Sequence, residues 1–385
     1  MRMIVGVGIV VVGGYLVLLG LMLLGPRWLP ARRWPAVRRL IIGTSLLYPM
    51  GLLGLMVTQW LWPQDDGLWA VLQILAPYLF LPLLLLLPLA LFRHTTWLRW
   101  MLVLCGLVFL VRFGSLPQHV SPPPADAPTV SVLNWNVGIG TEAAQIARVR
   151  PVLLDAPADL VVLAEAYWAW LAQDPAVQQV YPYQTALYWN ASKGLVILSR
   201  YPILAHDVPP QQQETRTHPR QIVAQLDVHG VPLTLVAVHT PAGTVRTRGC
   251  VVICYEVTER NQQLDALQRT LTPLFQQGTA LLVVGDFNLT TREPRYAQLA
   301  DRLQDTHVLV GQGGGHTWPL AAAAPGGLQQ LLPLLRIDYQ WSGKSPIPQT
   351  SRVDCTYRGS DHCMLWGTYA LSAPTTDGHL PLSGR

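Results

Sequence analysis

The chain is 385 residues long; half of them are hydrophobic, only 13% are charged, and the mean hydropathy is +0.28. This balance excludes a wholly soluble globular protein, and the length implies two or three domains. The formal net charge of +5 is uneven: residues 1–125 hold nine Arg against Asp65 and Asp66, and the remainder, with 18 basic and 20 acidic residues, is near neutral, which excludes a strongly basic polyanion-binding half.

Four stretches near the N-terminus have the length and apolarity of membrane helices, which need about 20 residues to cross the hydrocarbon core. They are Met3–Gly25, Leu40–Trp62, Leu68–Phe92 and Trp97–Val111, within a transmembrane region 1–114 whose last helix extends to about 114. The first is too long for a signal peptide and lacks a small-residue cleavage site. Arg27, Arg32, Arg33, Arg38 and Arg39 lie between spans one and two, and Arg93 and Arg99 between three and four. Positive loops stay in the cytoplasm, so four spans put both the N-terminus and everything after about 115 outside it. Should 97–114 not span, the soluble half turns to the cytoplasm.

Residues 115–128 hold five prolines, among them Pro122, Pro123 and Pro124, and read as a semi-rigid linker. Residues 129–371 form one domain, and 372–385 a polar, disordered tail. Within the domain, short β-branched runs read as strands: Val130–Leu133, Leu160–Leu163, Leu195–Leu198, Ile222–Val228, Leu233–Val238, Leu281–Val284 and Ile337–Trp341. His229-Gly230 marks a hairpin turn. Leu264, Leu267, Leu271 and Leu274 recur at helical spacing, predicting an amphipathic helix over Arg260–Phe275, and a weaker helix covers Glu142–Leu154. Many strands with few helices imply stacked sheets with helices outside. Cys250/Cys254 and Cys355/Cys363 are close enough in sequence to form two disulfides in an oxidising compartment. No spacing among them fits a zinc site.

Polar groups stand where the strands end. Glu165 closes the apolar run from Leu160, where an unpartnered charge is costly and a metal would offset the cost. Mg²⁺ favours oxygen ligands; Asp361 is the natural second carboxylate, and the Asn136 amide oxygen can add a ligand or orient water. Asp286 and Asn288 alternate beyond Val284, so both can face one side, the Asp toward water and the Asn toward a phosphoryl oxygen. Alone, Asp-x-Asn is an Asx turn. Asp338 is the best group to orient His362, and His239 can donate to phosphate. Arg216 and Arg220, or Arg246 and Arg248, could grip phosphate.

Trp135-Asn136-Val137, Glu165, the stretch Gly194 to Pro202, His239, Gly285-Asp286-Phe287-Asn288, Arg336-Ile337-Asp338-Tyr339 and Ser360-Asp361-His362 together resemble the endonuclease/exonuclease/phosphatase (DNase I-like) superfamily over about 129–371. The resemblance implies an α/β four-layer sandwich, two mixed β-sheets flanked by helices, and phosphoester hydrolysis with Mg²⁺ (or Mn²⁺). It implies Asn136, Glu165 and Asp361 around the metal, Asp286 and Asn288 on water and phosphate, and His239 with the His362–Asp338 pair in acid–base and electrostatic roles. Which group is the base stays open. The segment Gly243–Thr258 departs from the family pattern.

The expected function is a membrane-anchored, metal-dependent phosphoesterase, integral to a plasma or inner membrane, its catalytic domain extracytoplasmic. Its partners are the bilayer, through the N-terminal helices, and a phosphate-ester substrate; no protein partner is implied. A nuclease, a sphingomyelinase-like lipid head-group phosphodiesterase, and a catalytically silent receptor or scaffold are the alternatives.

Overall fold

In a computed structural model the chain divides into two compact units, Met1–Leu116 and Pro117–Arg385. The structure describes residues 17–371 except 25, 29, 93, 94, 115–121, 125, 139, 189–192, 208–219, 247–253, 320–333 and 357. Most of the first expected span, most of the Pro-rich linker and the C-terminal tail lie outside the described residues.

In the first unit, two described helices are long and apolar enough to cross a membrane: α1 (Trp34–Leu61) and α2 (Thr96–Phe113). Between them Gly67–Ile74 and Ala76–Ala90 form a pair bent by 65°, which makes a third span if the pair crosses as one. Of the four expected spans, the first lies mostly outside the described residues; the other three correspond to these two helices and the bent pair, which counts as a span only if it crosses as one. The stretch 68–92, expected as one span, is thus bent, and the physical reason lies in its prolines. Pro77, Pro82 and Pro88 each remove a backbone donor, and Ala76–Leu86 winds as a 3₁₀ helix. The Tyr48 hydroxyl donates to the Leu79 carbonyl at 2.7 Å, and Phe80 packs edge-on against Phe109 and Phe113.

The second unit is built on two six-stranded mixed sheets. Numbered in chain order, one sheet holds β1 (Thr129–Asn136), β2 (Leu160–Tyr167), β3 (Tyr183–Tyr188), β4 (Lys193–Ser199), β13 (Ile347–Asp354) and β14 (Met364–Ala370), in the order β13-β14-β1-β2-β4-β3. The other holds β5 (Ile203–Asp207), β6 (Gln221–Val228), β7 (Val231–His239), β10 (Ala280–Asp286), β11 (Gln304–Asp305) and β12 (Asp338–Ser342), in the order β11-β12-β10-β7-β6-β5. Each sheet has one parallel pair at its centre, β1–β2 and β7–β10, with antiparallel neighbours on both sides. A small hairpin pairs β8 (Thr244–Arg246) with β9 (Cys254–Glu256) inside the segment 243–258, of which residues 247–253 lie outside the described ones.

Alternation decides what each face buries. Val130 and Val132 of β1, Val162 of β2, Leu235 of β7 and Leu282 of β10 meet in a core between the sheets. Their neighbours Leu133, Trp135 and Val161 point outward to the helix Glu142–Asp155 (α3), and Val236, Val238, Leu281 and Val283 to the helix Thr258–Gln277 (α4). Helix, sheet, sheet and helix thus stack as four layers, each apolar face covered by the next. The expected helices form, α4 starting two residues earlier than its leucine spacing indicates. His229 and Gly230 take φ of 55° and 82° in the two-residue β6–β7 turn, the backbone such a hairpin demands.

Candidate active site

The C-terminal ends of both parallel pairs open at the same end of the sandwich. Asn136 closes β1, Glu165 lies near the end of β2, His239 closes β7 and Asp286 closes β10. Antiparallel pairing sets Asp338, the first residue of β12, directly opposite Asp286. His362 precedes β14, the neighbour of β1. One end of two facing sheets therefore gathers side chains from residues more than 220 positions apart.

They converge on one atom. Asp286 Oδ2 accepts a hydrogen bond from Asn136 Nδ2 at 2.9 Å and stands 3.8 Å from His239 Nε2 and 3.9 Å from His362 Nε2. His362 Nδ1 meets Asp338 Oδ2 at 2.9 Å. Asn136 Nδ2 also reaches Glu165 Oε1 at 3.3 Å, and His239 Nε2 stands 3.7 Å from that oxygen. Asn136, His239, Asp286, Asp338 and His362 are all buried, while the Glu165 side chain is 36% exposed.

The protonation of this set is strongly perturbed. Burial, followed by the Asp338 charge, pushes the Asp286 carboxyl up to about 7. Burial, with the Arg220 and His362 charges, pushes His239 down to about 3, so its ring is neutral. For His362 burial acts downward, but the charge and hydrogen bond of Asp338, with Asp286 and Asp361, outweigh it and hold the ring at about 9. A carboxyl poised near neutrality thus faces one cationic and one neutral imidazole.

Local structure fixes these side chains. Gly285 lies so close to β7 that an added Cβ would come within 1.8 Å of the Val238 carbonyl oxygen. Only glycine lets β10 run against β7 at this point and bring Asp286 level with His239. Glu165 has φ of 56°, and the pairing of β2 with β4 shifts register between Leu163 and Ala166. This bulge turns the Glu165 side chain out of the regular alternation. Gln145 of α3 holds the bulge, its amide donating to the Glu165 carbonyl at 2.8 Å and accepting from Tyr167 N–H at 3.0 Å.

The Asp286/Asn288 expectation needs a correction in its geometry. Strand alternation does not aim Asn288, because β10 ends at Asp286 and Asn288 takes a left-handed φ of 46°. Its N–H donates to Asp286 Oδ1 and its amide to the Thr240 carbonyl, both at 2.9 Å. The Asx turn and the site coexist: Oδ1 of Asp286 serves the turn, leaving Oδ2 to the cluster.

Asp361 comes to the same mouth along the backbone. Ser360 Oγ donates to the Asn136 carbonyl at 2.7 Å, and Trp135 Nε1 donates to the His362 carbonyl at 3.1 Å. The Asp361 carboxylate accepts from Trp318 Nε1 at 3.1 Å, and among the described residues no hydrogen bond joins it to Asn136 or Glu165. The disulfide Cys355–Cys363 closes the loop carrying these residues; the Cys250/Cys254 pairing involves a residue outside the described ones. Arg220 is near enough for its charge to act on both Glu165 and His239. Arg246 is exposed and paired with Glu256 across the small hairpin at 3.1 Å, while Arg216 and Arg248 lie outside the described residues.

The residues present fit a hard divalent cation. Ligand atoms of Asp286, Asp338 and His362 lie within 4.8 Å of one another, a group that ligates a metal only when His362 gives up its proton, and the buried Asp338 Oδ1 has no hydrogen-bond partner. Glu165 and the Asn136 amide oxygen add further oxygen donors, the second already taking the Gly138 N–H at 3.0 Å. Gln145, Trp318 and Thr317, which accepts from the Asp338 N–H at 3.3 Å, escaped the sequence reading. Their roles depend on contacts across the fold, and no local pattern marks them.

Residues 133–362 match the family model described as "Endonuclease/Exonuclease/phosphatase family". Among solved structures, the 3'-5' exonuclease from Neisseria meningitidis is similar at 18% identity, over 62% of this chain and 99% of its own, with a TM-score of 0.48. An endonuclease/exonuclease/phosphatase from Bacteroides vulgatus aligns at 14% identity over 64% and 100%, TM-score 0.48, and one from Beutenbergia cavernae at 19% over 64% and 72%, TM-score 0.45. No curated protein matches the sequence.

Proposed function

The chain belongs to the endonuclease/exonuclease/phosphatase family, and from that premise we propose that it is a membrane-anchored, divalent-metal-dependent phosphoesterase whose catalytic domain lies outside the cytoplasm. The observation that carries this reading is the convergence of Asn136, His239 and His362 on Asp286 Oδ2.

Each residue then has a task its surroundings suit. Asp286, raised to about 7, takes the proton of the attacking water. Asn136 keeps that carboxylate oriented through its 2.9 Å hydrogen bond. His362, charged and locked by Asp338, offers its Nε2 to the negative charge that grows on phosphate. His239, neutral and buried, donates a hydrogen bond without adding charge. Arg220 contributes positive potential beside Glu165. The Asn288 amide has a second N–H for a phosphoryl oxygen besides the one bound to Thr240. Glu165, Asn136 and Asp361 are the proposed holders of Mg²⁺ or Mn²⁺. When bound, such an ion supplies a Lewis acid that neutralises the developing phosphate charge.

Among substrates, the near-neutral charge of residues after 125 favours a small or lipid-borne phosphodiester over a long polyanion. The membrane helices give the same preference, since they would hold the domain at a bilayer. The test is hydrolysis of bis-p-nitrophenyl phosphate by the full-length protein in detergent, with Mg²⁺, Mn²⁺ or EDTA. Metal-dependent turnover is expected; none under any metal would sink the enzyme reading. A panel of DNA, RNA, sphingomyelin and phosphoinositides ranks the substrates. A topology reporter fused after Leu371 is expected to read extracytoplasmic, and a cytoplasmic signal would overturn the orientation.

A further inference from the structure

The helix α4 carries an arginine that the proposed chemistry does not use. Arg260 is fully buried, and its Nη2 is paired with Glu293 Oε2, itself fully buried. Burying two charges is costly, and the Coulombic gain often only offsets the desolvation of both partners. The pair's stability alone therefore gives little reason for it.

What the guanidinium holds gives a better one. Arg260 Nη1 donates to the Asn288 carbonyl at 2.7 Å and to the Tyr255 hydroxyl at 3.1 Å. Glu293 Oε1 accepts the Thr290 N–H at 2.7 Å, so the same ion pair also grips the chain two residues beyond Asn288. Asn288 sits at φ of 46°, a left-handed conformation that Asn tolerates better than other side-chain-bearing residues, and its carbonyl orientation there is set by what it bonds. Tyr255 belongs to the β8–β9 hairpin, and its ring packs so tightly on Gly243 that a Cβ there would come within 2.3 Å of it. One guanidinium thus ties a left-handed loop residue to a hairpin seated on the chain that leaves β7.

We propose that Arg260 is a positioning residue: braced by Glu293, it holds Asn288 in its left-handed conformation and couples that conformation to the β8–β9 hairpin. The inference rests on the reading that Asn288 handles phosphate, and it assigns Arg260 no contact with substrate. The hairpin's placement is then transmitted to the site through Tyr255, Arg260 and Asn288.

The test uses full-length protein and the paired variant Arg260→Met/Glu293→Met, which removes both charges together and spares the fold an orphaned one. With bis-p-nitrophenyl phosphate, kcat is expected to fall tenfold or more while KM stays within about twofold, the pattern of a lost transition-state interaction. Adding Asn288→Ala to the paired variant should cost no more than Asn288→Ala alone, because both act through one group. Tyr255→Phe should give a smaller loss of the same kind. A paired variant with wild-type kcat, or losses that multiply independently with Asn288→Ala, would overturn the positioning role. If Asn288→Ala itself leaves activity intact, the assignment of Asn288 fails, and hydrogen exchange decides the coupling. Faster exchange in both 286–293 and 243–256, with the rest of the domain unchanged, supports it; unchanged exchange overturns it. Should the paired variant not fold, Arg260→Lys serves: partial kcat with wild-type KM is expected, and full kcat overturns the role.

Discussion

Asp286 and His362 face each other across the mouth of the sandwich, Oδ2 to Nε2 at 3.9 Å, with Asp338 gripping the far nitrogen of the ring at 2.9 Å. The separation exceeds a hydrogen bond, so the pair brackets a space in which a small group could be held between opposite charges. Asp286 comes from the end of one strand, Asp338 from the start of its antiparallel neighbour, and His362 from the facing sheet's approach to β14. Removing any one leaves buried polar groups without their counterpart.

Asp286→Ala and His362→Gln should each lower kcat by about 10²–10⁴-fold, the range for losing a positioned acid or base. Asp338→Asn should fall in the same range, because the ring loses the charge that keeps it cationic. Steady-state kinetics with bis-p-nitrophenyl phosphate checks all three. Near-wild-type turnover in Asp286→Ala would remove it from the base's role.

The metal-free protein should become less stable as pH rises from 6.5 to 9. His362 is raised on folding from 6.5 to about 9, so its contribution is complete below 6.5 and lost as pH climbs through 9. The loss should be on the order of 1–3 kcal/mol. Asp286, raised from 3.8 to about 7, has the same sign over a lower window, costing stability as its proton leaves. Melting in EDTA across this range reports the slope. His362→Gln should flatten its upper part, and a flat wild-type profile would contradict the pairing.

Gln145→Ala should strip the Glu165 bulge of two hydrogen bonds and cost about 1–3 kcal/mol, the penalty for orphaned buried groups. If Glu165 holds the cation, this variant should also shrink the rise in melting temperature that Mg²⁺ produces, and Glu165→Gln should abolish it. Calorimetry with and without Mg²⁺ separates the two effects. An unchanged shift in Glu165→Gln would place the ion elsewhere.

Reduction of the Cys355–Cys363 bridge, eight residues apart, should cost about 2–3 kcal/mol by loosening the unfolded chain. The Cys355→Ser/Cys363→Ser variant should lose activity more steeply than global stability, since the loop carries Ser360, Asp361 and His362. Comparing turnover with and without dithiothreitol tests this, and identical rates would show that the hydrogen bonds of Ser360, Asp361 and His362 hold the segment without the bridge.

The central strands were legible because burial on both faces writes them as uninterrupted β-branched runs, as in Leu160–Leu163 and Leu281–Val284. β13 and β14 were not: Ile347–Asp354 mixes Pro, Gln and Arg into its pattern, and Met364–Ala370 contains Gly367. Gln340 explains the second, since its amide fills the space over Gly367 and donates to the Val132 and Leu365 carbonyls. Over 68–92 the apolarity of the run masked three prolines, and the chain there is bent by 65° instead of running as one continuous helix. The strand-end polar groups could be read individually, but their meeting on Asp286 Oδ2 could not, because that depends on how two sheets face each other. Arg260 looked like the start of an amphipathic helix; only its burial against Asn288 and Glu293 gives it another meaning.

The sheet order carries a consequence for how the protein is made. β14 lies between β1 and β13, so the first strand of the domain finds its antiparallel partner far along the chain, Asn134 facing Leu365. His362 and Asp361 arrive with that strand, long after Asn136 and Glu165. A chain still emerging from the ribosome therefore carries a divided set of these side chains until β14 has been made. The cluster around Asp286 closes only after β14 has docked on β1.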